Sequence, residues 1–149
     1  MRVEERLEDL GLELLEPPKE KGKVAAAVRS GNLVFTSGHP SEAKGRLGRE
    51  VTAAEGYLVA QDAAVRCLSA IKALIGDLDH VTRVVKVTGF VNCTDEFTEH
   101  AQVMHGATEL LTDLFGEDAG WHVRSVVGVA QLPDNAAVVV EMTVEVSDG

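Results

Sequence analysis

The chain has 149 residues, of which 45% are hydrophobic and 26% are charged, and this composition is typical of a folded globular protein rather than a disordered one. Such a length suits a single domain with its own core. Acidic residues outnumber Lys and Arg by 24 to 14, and the formal net charge of -10 disfavours binding to nucleic acid. No apolar run is long enough to span a membrane, and the charged start predicts a helix rather than a signal peptide.

Two cysteines, Cys67 and Cys93, fall in predicted regular elements at a spacing that matches no zinc motif. We therefore expect two buried free thiols in the reducing environment of the cytoplasm, and neither a metal nor a cofactor.

The first predicted element is an amphipathic helix over residues 2–15, since Val3, Leu7, Leu10 and Leu14 recur at helical spacing. Pro17 and the charged residues after it predict the end of the helix and an exposed linker to about residue 20.

A β-hairpin is predicted next, because the apolar runs VAAAV and LVFTSG flank Gly31 and Asn32, which tolerate positive φ. The following segment, residues 38–51, holds three glycines and four basic residues. We expect it to be an exposed and mobile loop.

A long helix is predicted to begin after Thr52, which stands at capping-box spacing from Glu55, and to end at Gly76. Alternation and β-propensity predict a strand over residues 81–92. A second long helix is predicted from Asp95-Glu96 to near Gly116.

Residues 121–146 contain two valine-rich runs separated by Pro133-Asp134-Asn135, which predicts two strands joined by a tight connection. Both runs are apolar at odd and even positions alike, so we expect both faces of this part of the sheet to be buried.

The order of elements is αββαβαββ, which predicts an α+β fold with a five- to six-stranded mixed sheet and two long helices packed on one face. Two helices cannot cover both faces of such a sheet. Because an exposed apolar sheet would aggregate, we expect a homo-oligomer to cover the second face.

Arg124 is a permanent cation in an otherwise apolar strand, so it needs an anionic partner. The sequence leaves two alternatives open: an internal ion pair with Glu141 or Glu145, or a ligand. Arg124 offers a planar fork suited to a carboxylate, while Ser37 and Gly38 offer a hydroxyl and close access to backbone amides at the end of another strand. Together they would suit a small carboxylate.

Most other motifs of catalysis are absent. His100 and His105 are five residues apart on a helix, a spacing that favours structural or surface roles over metal binding. His39 and His122 stand at strand ends and are candidates for a proton-handling group or for plain rim residues.

Three segments, GNLVFTSG, KVTGFVN and HVRSVVGVAQLP with the following EMTVEV strand, together resemble the Rid family, also called YjgF-like or endoribonuclease L-PSP. The resemblance covers residues 24–146 and is closer to a lesser-characterised branch than to the known deaminases. It implies a single chorismate-mutase-like domain over 1–149, with its core at 24–146 and assembled as a homotrimer with clefts between subunits.

The resemblance also implies an activity, the hydrolysis of 2-imino or 2-enamino acids to 2-oxo acids and ammonia, without a cofactor. Arg124 matches the arginine that holds the substrate carboxylate, and Ser37 with Gly38 matches the wall of the cleft. Val126 and Glu141 occupy two further positions of that cleft.

This sequence departs from the deaminase pattern. The first strand carries alanines where those members have a tyrosine, Val126 replaces a cysteine, Val139 replaces a glutamate, and Ala101 stands near the place of an asparagine. We therefore keep two hypotheses: an imine or enamine hydrolase, and a non-catalytic binder of a small carboxylate in the same cleft. A ribonuclease is disfavoured by the net charge of -10 and by the single Trp and single Tyr.

Overall fold

The computed structural model describes residues 2–16 and 24–148. Its elements in chain order are α1 (Arg2–Asp9), β1 (Ala27–Ser30), β2 (Leu33–Thr36), β3 (His39–Pro40), α2 (Ala53–Ile75), β4 (Val81–Asn92), α3 (His100–Ala119), β5 (Val123–Val129) and β6 (Val138–Val146). Short 3-10 turns precede β4 and β6. Within the described ranges, no helix has the length and apolar character that crossing a membrane requires.

The six strands form one mixed sheet in the order β1-β2-β6-β4-β5, and β3 also pairs with β6. The β4–β5 pair is parallel, whereas the other pairs are antiparallel. Helices α2 and α3 pack against each other and against one face of the sheet, where the buried core lies. The predicted α+β fold with both long helices on one face is confirmed.

The two valine-rich strands at the end of the chain are not neighbours. Strand β4 lies between them, so that Phe90 pairs with Val127 on one side and with Val139 on the other. The prediction of two strands joined by a tight connection was wrong, because the stretch between them must pass across β4. Asp134 and Asn135 adopt left-handed φ values of 56° and 58° in that connection, as short polar residues can.

The face of the sheet away from the helices is mixed in character. Strand β6 alternates, with its even-numbered valines buried and Glu141 and Glu145 exposed, so the expectation of two buried faces was wrong for this strand. An apolar row remains across β6, β4 and β5, made of Val139, Phe90 and Val127, and Val127 is 46% exposed.

Helix α2 begins and ends where the sequence predicts. Thr52 accepts from the Glu55 amide, the Glu55 carboxylate accepts from the Thr52 amide, and Gly76 ends the helix with φ 88°. Helix α3 crosses α2 at Gly106, where a Cβ would lie 1.8 Å from the carbonyl oxygen of Tyr57. The missing side chain thus brings α3 close to α2 and fixes the position of α3 beside β5.

Helix α1 is shorter than predicted. Gly11 takes φ 78°, its amide donates to Glu8, and the Leu12 amide donates to Leu7, which is a Schellman ending. The predicted linker, from Pro17 to about residue 20, lies outside the described residues. Helix α3 begins at His100, later than predicted, and its helical geometry breaks at Gly116.

The segment 38–51 was predicted to be an exposed loop, and this was wrong for the part of it that packs against the sheet. His39 and Pro40 form β3, Leu47 is fully buried in the core, and Leu47 bridges to Cys93. Its glycines allow this segment to fold back against the sheet: Gly45 and Gly48 have φ values of 113° and 88°.

Candidate functional site

Arg124 lies on β5, the edge strand of the sheet, at a position that pairs with the buried Val87 and so points to the side covered by the helices. Its Nη1 atom lies 3.2 Å from His105 Nδ1 and 3.1 Å from Thr108 Oγ1, both on α3. Burial lowers the pKa of Arg124, but the ordinary pKa of a guanidinium is so high that the group stays cationic at neutral pH. The protein thus holds the cation by one nitrogen.

No ion pair joins Arg124 to a carboxylate of the described chain. Glu141 and Glu145 project from β6 to the open face, and Glu145 accepts a hydrogen bond from Thr82 instead. The alternative of an internal ion pair with either glutamate is therefore wrong. The Nε and Nη2 atoms of Arg124 make no hydrogen bond to the described residues.

The hydrogen bonds that link Arg124, Thr108 and His122 have one arrangement of donors and acceptors. Arg124 can only donate, so Thr108 Oγ1 accepts from it and turns its own hydrogen to His122 Nε2, 3.1 Å away. His122 Nδ1 lies 2.6 Å from the Gly120 carbonyl, which can only accept, so Nδ1 carries the proton. His105 likewise accepts from Arg124 through an unprotonated Nδ1.

His122 is held in its neutral form. Burial lowers its pKa below the usual value, the hydrogen bond to Gly120 acts in the opposite direction, and the charge of Arg124 lowers the pKa further. The imidazole is therefore neutral at neutral pH, with Nε2 as an acceptor.

An open cleft of about 390 Å³ lies beside this chain of hydrogen bonds. Its lining residues are Thr108, Thr112, Glu117, Trp121 and His122. Trp121 is 71% exposed, which leaves a large aromatic surface in this cleft. Two larger clefts, each of about 520 Å³, flank α1 instead and are lined by its charged side chains.

Ser37 and Gly38 lie at the bend between β2 and β3, beside β6. The Ser37 hydroxyl donates to the Ala25 carbonyl over 2.6 Å, so its oxygen remains an acceptor. A Cβ on Gly38 would lie 2.8 Å from Val139 Cγ1. Gly38 thus packs directly against the valine that stands where the resemblance implies a glutamate.

The predicted site residues do not meet within one chain. Arg124 and Val126 share one face of β5, and Val126 packs against the core, while Glu141 lies exposed on the open face. Ser37 follows β2, which is three strand-to-strand steps from β5. At about 4.8 Å per step, Ser37 and Arg124 are separated by about 14 Å or more.

The other histidines have structural contacts. His39 is buried, its Nε2 donates to the Ala26 carbonyl over 3.1 Å, and burial lowers its pKa. His100 lies 3.5 Å from Cys93 Sγ, and burial raises the pKa of that thiol. Both cysteines are buried and free, as predicted.

Sequence reasoning missed Thr108 and gave His105 only a structural or surface role. The two residues stand three positions apart on α3, which places them on one face of the helix. That spacing was visible in the sequence, but only the packing of α3 against β5 shows that this face meets Arg124.

Comparisons with known proteins agree with the fold. A family model described as "YjgF/chorismate_mutase-like, putative endoribonuclease" matches residues 4–146. Protein TCP17 of Trypanosoma cruzi is 39% identical over 153 aligned residues, covering 99% of this chain and 96% of that protein.

Two solved structures are similar over nearly their whole length. The Agrobacterium tumefaciens protein Atu1372, of unknown function, has a TM-score of 0.90 at 36% identity, covering 98% of this chain and 94% of that chain. A Shewanella oneidensis protein with the same endoribonuclease description has a TM-score of 0.92 at 28% identity, covering 98% and 100%.

Proposed function

This chain belongs to the YjgF/chorismate-mutase-like (Rid) family, and we propose that it binds the carboxylate of a small 2-imino or 2-enamino acid and hydrolyses it to the 2-oxo acid and ammonia. The site lies between two copies of the chain in a homotrimer. Arg124 of one protomer holds the carboxylate, and Ser37 and Gly38 of its neighbour form the opposite wall.

The observation that carries this proposal is the state of Arg124. The guanidinium is anchored through Nη1 to His105 and Thr108, and no described carboxylate neutralises it. Its Nε and Nη2 atoms form a fork that matches the two oxygens of a carboxylate. A pre-positioned cation of this kind suits an incoming anion, because little side-chain entropy is lost when the anion binds.

The distance across the sheet supports the two-copy arrangement. Since Ser37 and Arg124 lie about 14 Å or more apart by strand spacing, a small ligand touches both only if they come from different protomers. The oxygen of Ser37 is free to accept from the N–H of the ligand, because its hydrogen points to Ala25. Gly38 adds no side chain that would narrow the cleft.

The hydrolysis of an imine requires few catalytic groups from the protein. The carbon of an imine is already electrophilic, so a water molecule held beside it adds to the C=N bond and gives a carbinolamine. That intermediate loses ammonia and becomes the 2-oxo acid. An enamine first takes a proton at carbon and becomes the imine. Holding the carboxylate on Arg124 with a water molecule beside the C=N bond supplies much of the rate, because it makes the water attack effectively intramolecular.

Binding without turnover is the second candidate function. Val126 and Val139 are apolar where the resemblance implies a thiol and a carboxylate, and Val139 packs against Gly38. A cleft with the arginine but without these polar groups would still hold a 2-oxo acid, although it would place water less well.

The test is to measure both binding and turnover in Arg124→Ala and Arg124→Lys. Ammonia release is followed with an imine generated in solution, and 2-oxo acid affinity is measured by calorimetry. Removing a charged hydrogen-bond donor costs about 1.5–3 kcal/mol, or about a tenfold to hundredfold loss of affinity. Lysine keeps the charge but not the fork, so we expect an intermediate loss.

Arg49→Ala is the matched control, since Arg49 is exposed and pairs with its neighbour Glu50. If Arg124→Ala releases ammonia and binds 2-oxo acids like the wild type, the proposal is wrong. If the wild type binds 2-oxo acids through Arg124 but releases no ammonia, the binding function replaces the hydrolase.

A further inference from the structure

We propose that Thr108 and His122 form a proton relay behind Arg124, in which His122 is neutral while the cleft is empty and takes up a proton at Nε2 when an anion pairs with Arg124. The proposal concerns the same cleft and rests on the proposed function for the identity of the anion. It makes Thr108 a catalytic residue, because its hydroxyl gives a hydrogen to the ligand, and His122 a positioning residue that sets the charge of the site.

In the free protein the relay has one arrangement. The Gly120 carbonyl fixes the proton on His122 Nδ1, over 2.6 Å, which leaves Nε2 as an acceptor. Arg124 occupies one lone pair of Thr108 Oγ1, so the single hydroxyl hydrogen of Thr108 points to His122. Thr108 therefore has no hydrogen to offer a ligand in this state.

The charged groups around His122 give the direction of the change. Arg124 is the cation that faces it through Thr108, His105 lies beyond Arg124, and Glu117 lines the same cleft. A nearby cation disfavours the imidazolium. A carboxylate bound to Arg124 cancels that field and thereby favours proton uptake by His122, whose ring reaches solvent through the cleft.

Proton uptake reverses the relay. Once Nε2 carries a hydrogen, it donates to Thr108 Oγ1, whose two lone pairs accept from both His122 and Arg124. The hydroxyl hydrogen of Thr108 is then released toward the ligand. During imine hydrolysis the departing nitrogen must gain a proton. The Thr108 hydroxyl can give its hydrogen to the departing nitrogen while it takes the hydrogen of His122 Nε2. This transfer returns His122 to the neutral form.

The first experiment follows the ring signals of His122 by NMR during a pH titration of the full-length protein. We expect Arg124→Gln, which keeps a polar side chain without the charge, to raise the pKa of His122 relative to the wild type. Saturating pyruvate, a small 2-oxo acid, should also raise it in the wild type. A His122 pKa that Arg124→Gln leaves unmoved overturns the relay, whether or not any ligand binds.

The second experiment measures pyruvate binding by calorimetry near pH 6 in buffers of different ionisation enthalpy. The wild type should take up a fraction of a proton per pyruvate bound. Thr108→Val, which is isosteric but has no hydroxyl, and His122→Gln should lose this uptake, and Thr108→Ser should retain it. Pyruvate binding without proton uptake by the wild type contradicts the relay but leaves the proposed function intact.

If none of a panel of 2-oxo acids binds while Arg124→Gln still raises the pKa of His122, the proposed ligand class is wrong and the coupling of the two residues stands.

Discussion

Burial and hydrogen bonding give the histidines of this protein different roles. His39 is buried at β3 and donates to Ala26, so it ties that short strand to the chain that precedes β1. His122 is also kept neutral, but it lines an open cleft beside a cation. Both pKa values are lowered, but ligand-linked proton uptake is proposed for His122 alone.

These lowered pKa values predict an acid-sensitive fold. The unfolded chain takes up protons on both histidines as the pH falls through about 6.5, whereas the folded protein resists until the pH is lower. Their contribution to stability is therefore full above about pH 6.5 and is lost as the pH falls through the folded pKa values. We expect a lower denaturant midpoint at pH 5.5 than at pH 7.5, measured by circular dichroism.

His39→Gln should reduce this pH dependence, because the amide of Gln can still donate to Ala26 but does not titrate. His80→Gln is the control, since the ring of His80 makes no hydrogen bond within the described chain. An unchanged pH dependence in His39→Gln would mean that His39 does not contribute.

At the scale of secondary-structure elements, the hydrogen bonds of Arg124 depend on the position of α3. Helix α3 crosses α2 at Gly106, and it packs on the sheet at Gly89, where a Cβ would lie 2.0 Å from Met104 Cε. Two glycines thus allow α3 to lie close to both α2 and β4. This closeness brings His105 and Thr108 within hydrogen-bonding distance of Arg124.

Gly106→Ala should destabilise the protein, although alanine favours a helix by about 1 kcal/mol over glycine. The new Cβ would lie 1.8 Å from the Tyr57 carbonyl oxygen, which is backbone and cannot turn away. Overpacking of this kind costs about 1–3 kcal/mol or more, so we expect a net loss in the free energy of unfolding. Denaturant titration measures it, and Gln102→Ala on the exposed side of α3 is the control. A stability equal to or above the wild type would contradict this account of the crossing.

The sequence predicts best those elements whose signals are local. The Gly31-Asn32 hairpin, the capping box at Thr52 and strand β4 all depend on residues close together in the chain, and all are confirmed. The first helix was expected to continue to residue 15 but ends early, because Gly11 closes it. Gly11 is a local signal too, but the prediction gave more weight to the apolar spacing.

Features that depend on distant residues were not predictable in this way. The parallel pairing of β5 with β4, and the burial of Leu47 from an apparently polar loop, depend on contacts far apart in the chain. Likewise, Arg124 could be identified as a cation in need of a partner, but the sequence could not show that Thr108 and His122 stand behind it. Nor could it show that Ser37 lies across the sheet.

For the whole molecule, the sheet separates the two halves of the proposed site by its two central strands, β6 and β4. Ser37 and Gly38 lie between β2 and β3 on one side of this pair, and Arg124 lies on the edge strand β5 on the other side. The proposed site requires a closed ring in which the β5 side of each protomer faces the Ser37 side of the next. Every site would then combine residues of two neighbours.

Mixing two defective proteins tests this arrangement. Arg124→Ala removes the cation, and Ser37→Glu adds a carboxylate that should repel the ligand, so neither variant alone should bind a 2-oxo acid. After unfolding and refolding together in equal amounts, about a quarter of the sites in random rings should contain both native residues. Calorimetry on the mixture counts the recovered sites, and mixing without refolding is the control.

No recovery in the refolded mixture would mean that Ser37 and Arg124 do not share a site between protomers. Normal binding by Ser37→Glu alone would remove Ser37 from the site altogether. Sedimentation of the wild type at three times the mass of one chain is expected in parallel, and a stable monomer would contradict the shared cleft.

Strand β6 follows the other described strands in the sequence, yet it lies between β2 and β4. Before β6 is synthesised, the sheet of the nascent chain is therefore divided into two parts, the β1–β2 hairpin and the β4–β5 pair. Each part has an unpaired strand edge where β6 will later be inserted. A nascent chain stalled before residue 138 would expose both edges to other polypeptides. Chaperones that shield unpaired strands should therefore bind this protein before β6 is synthesised and release it once β6 has been inserted.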